Sequence, residues 1–240
     1  MALLRDRLAL RAAEACVALM GRPERAADLR DAVHLRRPED LPGPAGEVYL
    51  CWKRAVERQV SARALHRALP EHDVARVSDW LGAGQGAPVA AAAKVLEQVL
   101  TDAPRDEVAA LILCDAALAR ALGWAHVVPV LSTGLRPADL RQRGAALRTA
   151  CHQAVIVSVA DALRLVGEVT RGAARLRSVA PKLRAKGAQG AVEMFLAQDA
   201  AAPGALPLPD RAARRLCDRL VELGAVRELT GRDTFRLYGA

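Results

Sequence analysis

The residues best suited by type and spacing to do chemistry are four arginines near the end of the chain. Arg211, Arg214 and Arg215 lie within Asp210–Gly224, and Arg232 sits in the turn-forming stretch Thr230-Gly-Arg-Asp233. At 100° per residue the first three share one face of a helix, opposite Ala213, Leu216, Cys217, Leu220 and Leu223. A guanidinium carries a planar fork of donors that fits a phosphate or the O6/N7 edge of guanine, so the chemistry on offer is duplex DNA recognition. Lys182, Arg184 and Lys186, in a basic connector between Pro181 and Gly187, supply secondary basic contacts. Asp218 and Glu222 fall on the same outer face and weaken it.

Catalytic constellations are not found. Gly82-Ala-Gly-Gln-Gly86 precedes a helix, but no strand leads into it and no Lys-Ser/Thr follows, so neither nucleotide-binding pattern is met. Cys151 and His152 are adjacent, which on a helix points them about 100° apart; neither a shared metal nor a nucleophile pair results. Cys151 reads as core and His152 as surface. His66 and His72 flank Pro70 with no carboxylate at metal-motif spacing. An enzyme built on the Asp/Glu/His-bearing helices of residues 24–79 is the weak alternative, and nothing there nominates a reaction. No cofactor and no metal are expected.

These residues must be positioned by helices. The chain has 240 residues, with 51 Ala, 34 Leu and 23 Val but two Ile and seven aromatics, a composition that favours helix over a large sheet. Leu4, Leu8, Ala12, Ala15 and Leu19 form an apolar stripe closed by Gly21. Pro23 is expected to open a second helix, Glu47–Val60 a third with Tyr49 and Trp52 on one face, and Ser61 a short continuation. Pro70 and Pro88 open the next two, and Asp106–Leu122 follows. Trp124–Leu135 is the least helical stretch, and helix resumes from Asp139 to about Val169. Arg164, Glu168, Arg171 and Arg175 fall on one charged stripe. After a helix over Ala191–Asp199 and a Pro/Gly-rich linker, Asp210 reads as an N-cap and Gly224 as a left-handed terminus. Val226–Tyr238 alternates about a turn and predicts a β-hairpin. The expected architecture is therefore mostly α: a helical body over residues 1–186 and a winged-helix-like module, helix plus hairpin, over 187–240. In that arrangement the helix enters the major groove and Arg232 sits at the wing tip.

The net charge is +8, and residues 164–240 hold 14 cations against eight anions, an excess that suits a polyanion. Few aromatics in that third disfavour single-strand binding by stacking. Five scattered cysteines, an odd number with no Cys-x-x-Cys pair, read as buried thiols in a reducing, cytoplasmic compartment. No uncharged apolar run reaches 18 residues, so a membrane is not an expected partner.

Three stretches together resemble a known family. Arg30-Asp-Ala32 with Arg37-Pro38 and Pro42-Gly-Pro-Ala-Gly46 form the first, and Ala180-Pro-Lys-Leu-Arg-Ala-Lys-Gly187 the second. The third is the ending, from Asp210-Arg-Ala-Ala-Arg-Arg215 through Thr230-Gly-Arg-Asp-Thr-Phe-Arg-Leu-Tyr-Gly239. They are similar to the bacterial domain-of-unknown-function family numbered fourteen-oh-three, over most of the chain and most specifically at its C-terminal end. The resemblance implies no activity and carries over no catalytic residue. It points to a regulator or accessory protein rather than a standard metabolic enzyme. It also implies sequence ahead of Met1 in such proteins, which would leave the first helix without its packing partner. Two functions follow as expectations. In one, the chain is a duplex-DNA-binding regulator whose body can supply homodimer contacts. In the other, it is a helical adaptor whose C-terminal module docks an acidic protein and binds no DNA.

Overall fold

Ala and Leu cost little side-chain freedom in a helix, and the computed structural model, which describes residues 2–37 and 39–240, is mostly helical. In chain order the helices are α1 (Ala2–Leu19), α2 (Ala26–His34), α3 (Gly43–Glu57), α4 (Ala62–His66) and α5 (Val74–Gly82). Next come α6 (Pro88–Asp102), α7 (Glu107–Ala121), α8 (Leu131–Gly134), α9 (Gly144–Val179), α10 (Ala188–Ala197) and α11 (Asp210–Glu222). Two short strands, β1 (Arg227–Glu228) and β2 (Tyr238–Gly239), pair antiparallel with Arg227 opposite Gly239.

Two helix starts depart from the sequence reading. Pro23 and Pro70 do not open helices: α2 starts three residues after Pro23, and α5 four residues after Pro70. The Asp28 carboxylate accepts from the Arg25 amide at 2.8 Å, and Asp73 accepts from the Arg76 amide at 2.7 Å. A side-chain acceptor for an otherwise orphaned amide fixes the start more strongly than proline's preset φ does. Ser61 caps α4 as expected, accepting from the Ala64 amide. Asp210 is the first residue of α11 rather than its cap, and makes no side-chain cap bond.

α1 corrects two expectations. It does not present a single apolar stripe: Asp6, Arg7, Ala9, Leu10, Ala13, Cys16 and Val17 are buried along with Leu4, Leu8 and Ala12. Nor does it lack a partner, because it is wedged among α2, α3, α7, α8, α9 and α10. Its first turn packs Leu3 and Leu4 against Leu165 and Val169 of α9.

The main core gathers Tyr49 and Trp52 of α3, Trp80 of α5, Leu111 and Ile112 of α7 and Cys151 of α9. A second core joins Leu176 and Val179 at the end of α9 to Phe195 of α10, Ala213 and Leu220 of α11, and Tyr238. α9, 36 residues and about 54 Å long, thus belongs to both. Its most apolar 18 residues have a mean hydropathy of 1.3, enough by length and composition to cross a bilayer, yet its inner side is packed into these cores.

The β-hairpin is shorter than its alternating sequence suggests. Beyond the paired strands only the Leu229 amide to Leu237 carbonyl bond, 2.8 Å, continues it. Phe235 has φ +54°, a left-handed conformation that breaks the alternation and leaves its ring 72% exposed. Tyr238 also bridges to Ala201, its amide donating to the Ala201 carbonyl at 3.0 Å and its carbonyl accepting from the Ala201 amide at 2.9 Å.

Candidate nucleic-acid interface

α11 is the most strongly amphipathic element, and its two faces part cleanly. Ala213, Leu216, Cys217 and Leu220 are buried in the second core, while Arg211, Arg214, Arg215, Asp218, Arg219 and Glu222 are exposed. Arg219 is ion-paired with Glu222 at 2.9 Å along the helix. Arg214 lines a hollow of about 590 Å³ between α11 and the 233–238 loop, which Asp210, Asp218, Asp233 and Arg236 also line.

The connector lies beside this helix. A Cβ at Gly187 would stand 2.7 Å from the Pro207 carbonyl oxygen and 3.3 Å from Leu208, so the chain after Lys186 touches the segment leading into α11. Gly187 has φ +91°, which permits the turn. At the other end of α11 the Arg175 guanidinium donates to the Leu223 carbonyl at 2.7 Å, satisfying a helix-terminal acceptor. The chain at the start of α11 therefore lies near Gly187 and the end of α11 near Arg175. The 171–186 segment holds the charge excess. Residues 171–186 carry six cations (Arg171, Arg175, Arg177, Lys182, Arg184, Lys186) and no acid, and all six are exposed. Residues 187–240 balance seven cations with seven anions. Arg171, Arg175 and Arg177 were not among the basic residues the sequence reading put forward for contacts; the acid-free run was the signal.

Arg232 is placed differently from the rest of the set. Its guanidinium pairs with the Asp31 carboxylate of α2 at 2.8 Å, so the loop tip is anchored to the body. Asp31 belongs to a larger tie. Its neighbour Arg30 donates through Nε to Asp199 at 2.5 Å and through a terminal nitrogen at 3.2 Å. Arg7 donates to the same carboxylate at 3.1 Å and to the Ala240 carbonyl. Asp6 accepts from the Asp199 amide at 2.8 Å and from Lys53 at 2.9 Å. Burial works against the Asp199 charge, but the hydrogen bonds and charge of Arg30, with Arg7 behind it, hold this carboxyl below the usual range.

The chain matches the family model described as "Protein of unknown function (DUF1403)" over residues 1–240. It belongs to the DUF1403 family. No curated protein and no solved structure compared with the chain gives a match. The first and third of the stretches that carry the DUF1403 resemblance meet in space, Asp31 reaching Arg232, and within the first Ala32 packs 3.1 Å from where a Gly46 Cβ would stand. A Cβ at Gly239 would lie 2.4 Å from the Asp199 carbonyl oxygen.

Elsewhere, His72 pairs with Asp106 at 2.5 Å and its backbone carbonyl bonds His66. Among the described residues no group of three or more His, Cys, Asp or Glu is placed to hold a metal ion. All five cysteines are free and buried; burial pushes the thiols of Cys16, Cys151 and Cys217 up to about 12, which makes them poor nucleophiles.

Proposed function

We propose that the chain binds duplex DNA as a regulator or accessory protein, through the outer face of α11 and the basic stretch beside it. One observation carries this reading: the segment that holds six exposed cations without an acid over 171–186 touches the chain at both ends of the helix that presents Arg211, Arg214 and Arg215. Clustered cations bind DNA by releasing its condensed counterions. Support for a reduced winged-helix module comes from its order. α10, the Ala201 bridge, a single 3-10 turn at Pro203–Ala205, α11, β1 and β2 follow the sequence helix, strand, helix, helix, strand, strand. The wing differs from the sequence expectation, since Arg232 is engaged by Asp31. DNA contact is therefore assigned to α11 and the connector, with Lys182, Arg184 and Lys186 on phosphates and Arg211, Arg214 and Arg215 at or near the groove.

The test is an anisotropy titration of a labelled 30-base-pair duplex across salt concentrations. Each phosphate contact adds about 0.9 to the slope of log affinity against log salt. Lys182→Ala, Arg184→Ala and Lys186→Ala together are expected to lower that slope by about 3. Arg214→Ala with Arg215→Ala is expected to weaken binding at least tenfold. Salt-insensitive binding, or unchanged affinity in both variants, rejects the reading. An acidic protein retained after nuclease treatment by a chain with no duplex affinity would favour the adaptor function instead.

A further inference from the structure

α9 is apolar on two opposite sides. Leu147, Ala154, Leu165, Val169 and Leu176 point inward, and half a turn away Ile156 and Leu163 are 74% and 66% exposed. Val159 and Val166 flank them at 39% and 38%. The outer residues recur at alternating steps of three and four. Ile156 and Leu163 occupy one core position of a heptad and Val159 and Val166 the other, with Thr149 and Thr170 closing the ends. From His152 to Thr170 no charged residue falls on this strip, and the flanking positions Ala160 and Gly167 are small.

We infer that this strip is the seat of a second copy of the chain, packed antiparallel across a two-fold axis near residue 161. The strip is complementary to itself in that orientation: Ile156 meets Val166 of the second copy and Val159 meets its Leu163, each core position facing the other type. Two-fold pairing of one patch with itself is the commonest closed assembly. Charge selects the direction. Parallel pairing would set the two acid-free 171–186 stretches side by side, whereas antiparallel pairing holds the two copies of Arg171 about 30 Å apart. The area is sufficient. The 149–170 strip is about 33 Å long, and half the circumference of a helix about 12 Å across gives on the order of 600 Å² per copy. Two copies together reach about 1,200 Å², the lower bound for a stable specific interface.

The experiment uses the full chain without DNA, so its outcome is independent of the nucleic-acid reading. Sedimentation at micromolar concentration is expected to give about twice the 25.6 kDa chain mass. Ile156→Glu with Leu163→Glu, both at exposed positions, is expected to weaken association by about 100-fold with an unchanged circular dichroism spectrum. Because the native cysteines are buried, single surface cysteines report the orientation. Ala160→Cys is expected to cross-link to itself on oxidation, while His152→Cys, about 27 Å from its copy, is not. A monomer at every concentration overturns the proposal, as does self-linking of His152→Cys without Ala160→Cys. A monomer that co-floats with phosphatidylserine vesicles, and loses this in the double-Glu variant, overturns it in favour of a lipid surface.

Discussion

Asp199 is fully enclosed and pairs with two arginines drawn from α1 and α2, so its carboxylate matters more to stability than any surface pair. Removing one member of a buried pair leaves charge unpaired and costs about 3–5 kcal/mol. Asp199→Ala is expected to lose that much in urea unfolding, against under 1 kcal/mol for the exposed pair cut by Arg219→Ala. A second enclosed carboxylate behaves differently. Asp115 accepts from the amides of Val130, Leu131 and Ser132 at 3.0, 2.8 and 3.1 Å, fixing the start of α8. Burial pushes it up to about 6, the amides pulling the other way. Its folded value lies above the unfolded one near 3.9, so its contribution to stability is full below about pH 4 and is lost as pH rises through 6. Asp115→Asn is expected to remove that fall, about 3 kcal/mol at most, read from unfolding free energies of both proteins at pH 4 and 7. His34 opposes it. Burial lowers it to about 4, so its contribution is present above 6.5 and lost as pH falls through 4. The difference between paired variants, rather than the wild-type profile, isolates each group.

At the scale of elements, the C-terminal ribbon is held by contacts made outside itself. Two residue pairs make up β1 and β2, and an isolated two-stranded ribbon is marginal. Here the Ala201 bridge, the Arg232–Asp31 pair and the approach of Gly239 to the Asp199 carbonyl supply what the short ladder lacks. Gly239→Ala inserts a methyl group against backbone and is expected to cost about 1–3 kcal/mol, measurable as a lowered Tm. Arg232→Ala is expected to change global stability by less than about 1 kcal/mol but to speed amide exchange and proteolysis within residues 230–236. The sequence showed most of these elements, because alternation, caps and helical stripes are local. It overstated the hairpin, because the left-handed backbone at Phe235 is invisible in residue type. Nor does residue type show that Arg7 is buried, since its partner Asp199 lies 192 residues away.

At the scale of the whole molecule, two cores share one helix and one ion network. Trp52, Trp80 and Trp124 all lie in the body and none lies beyond residue 187, so tryptophan fluorescence reports the main core while circular dichroism reports both. Coincident urea transitions by the two probes are expected for the wild type, and separated ones for Asp199→Ala, whose loss frees the second core to unfold first. The α11 face was legible in the sequence: a helix of 13 residues with apolar groups every third or fourth position dictates which side must leave water. The contacts of the 171–186 segment with both ends of α11 were not, nor was the anchoring of Arg232, because both depend on where the chain returns after a long helix. By itself the sequence determined a helical protein, the amphipathic α11 and the uneven charge, all properties of neighbours a few residues apart. Only the tertiary structure decided that α1 is enclosed, that Asp199 joins the chain's two ends and that α9 keeps an uncovered apolar side. Those outcomes require segments far apart in sequence to compete for the same buried space.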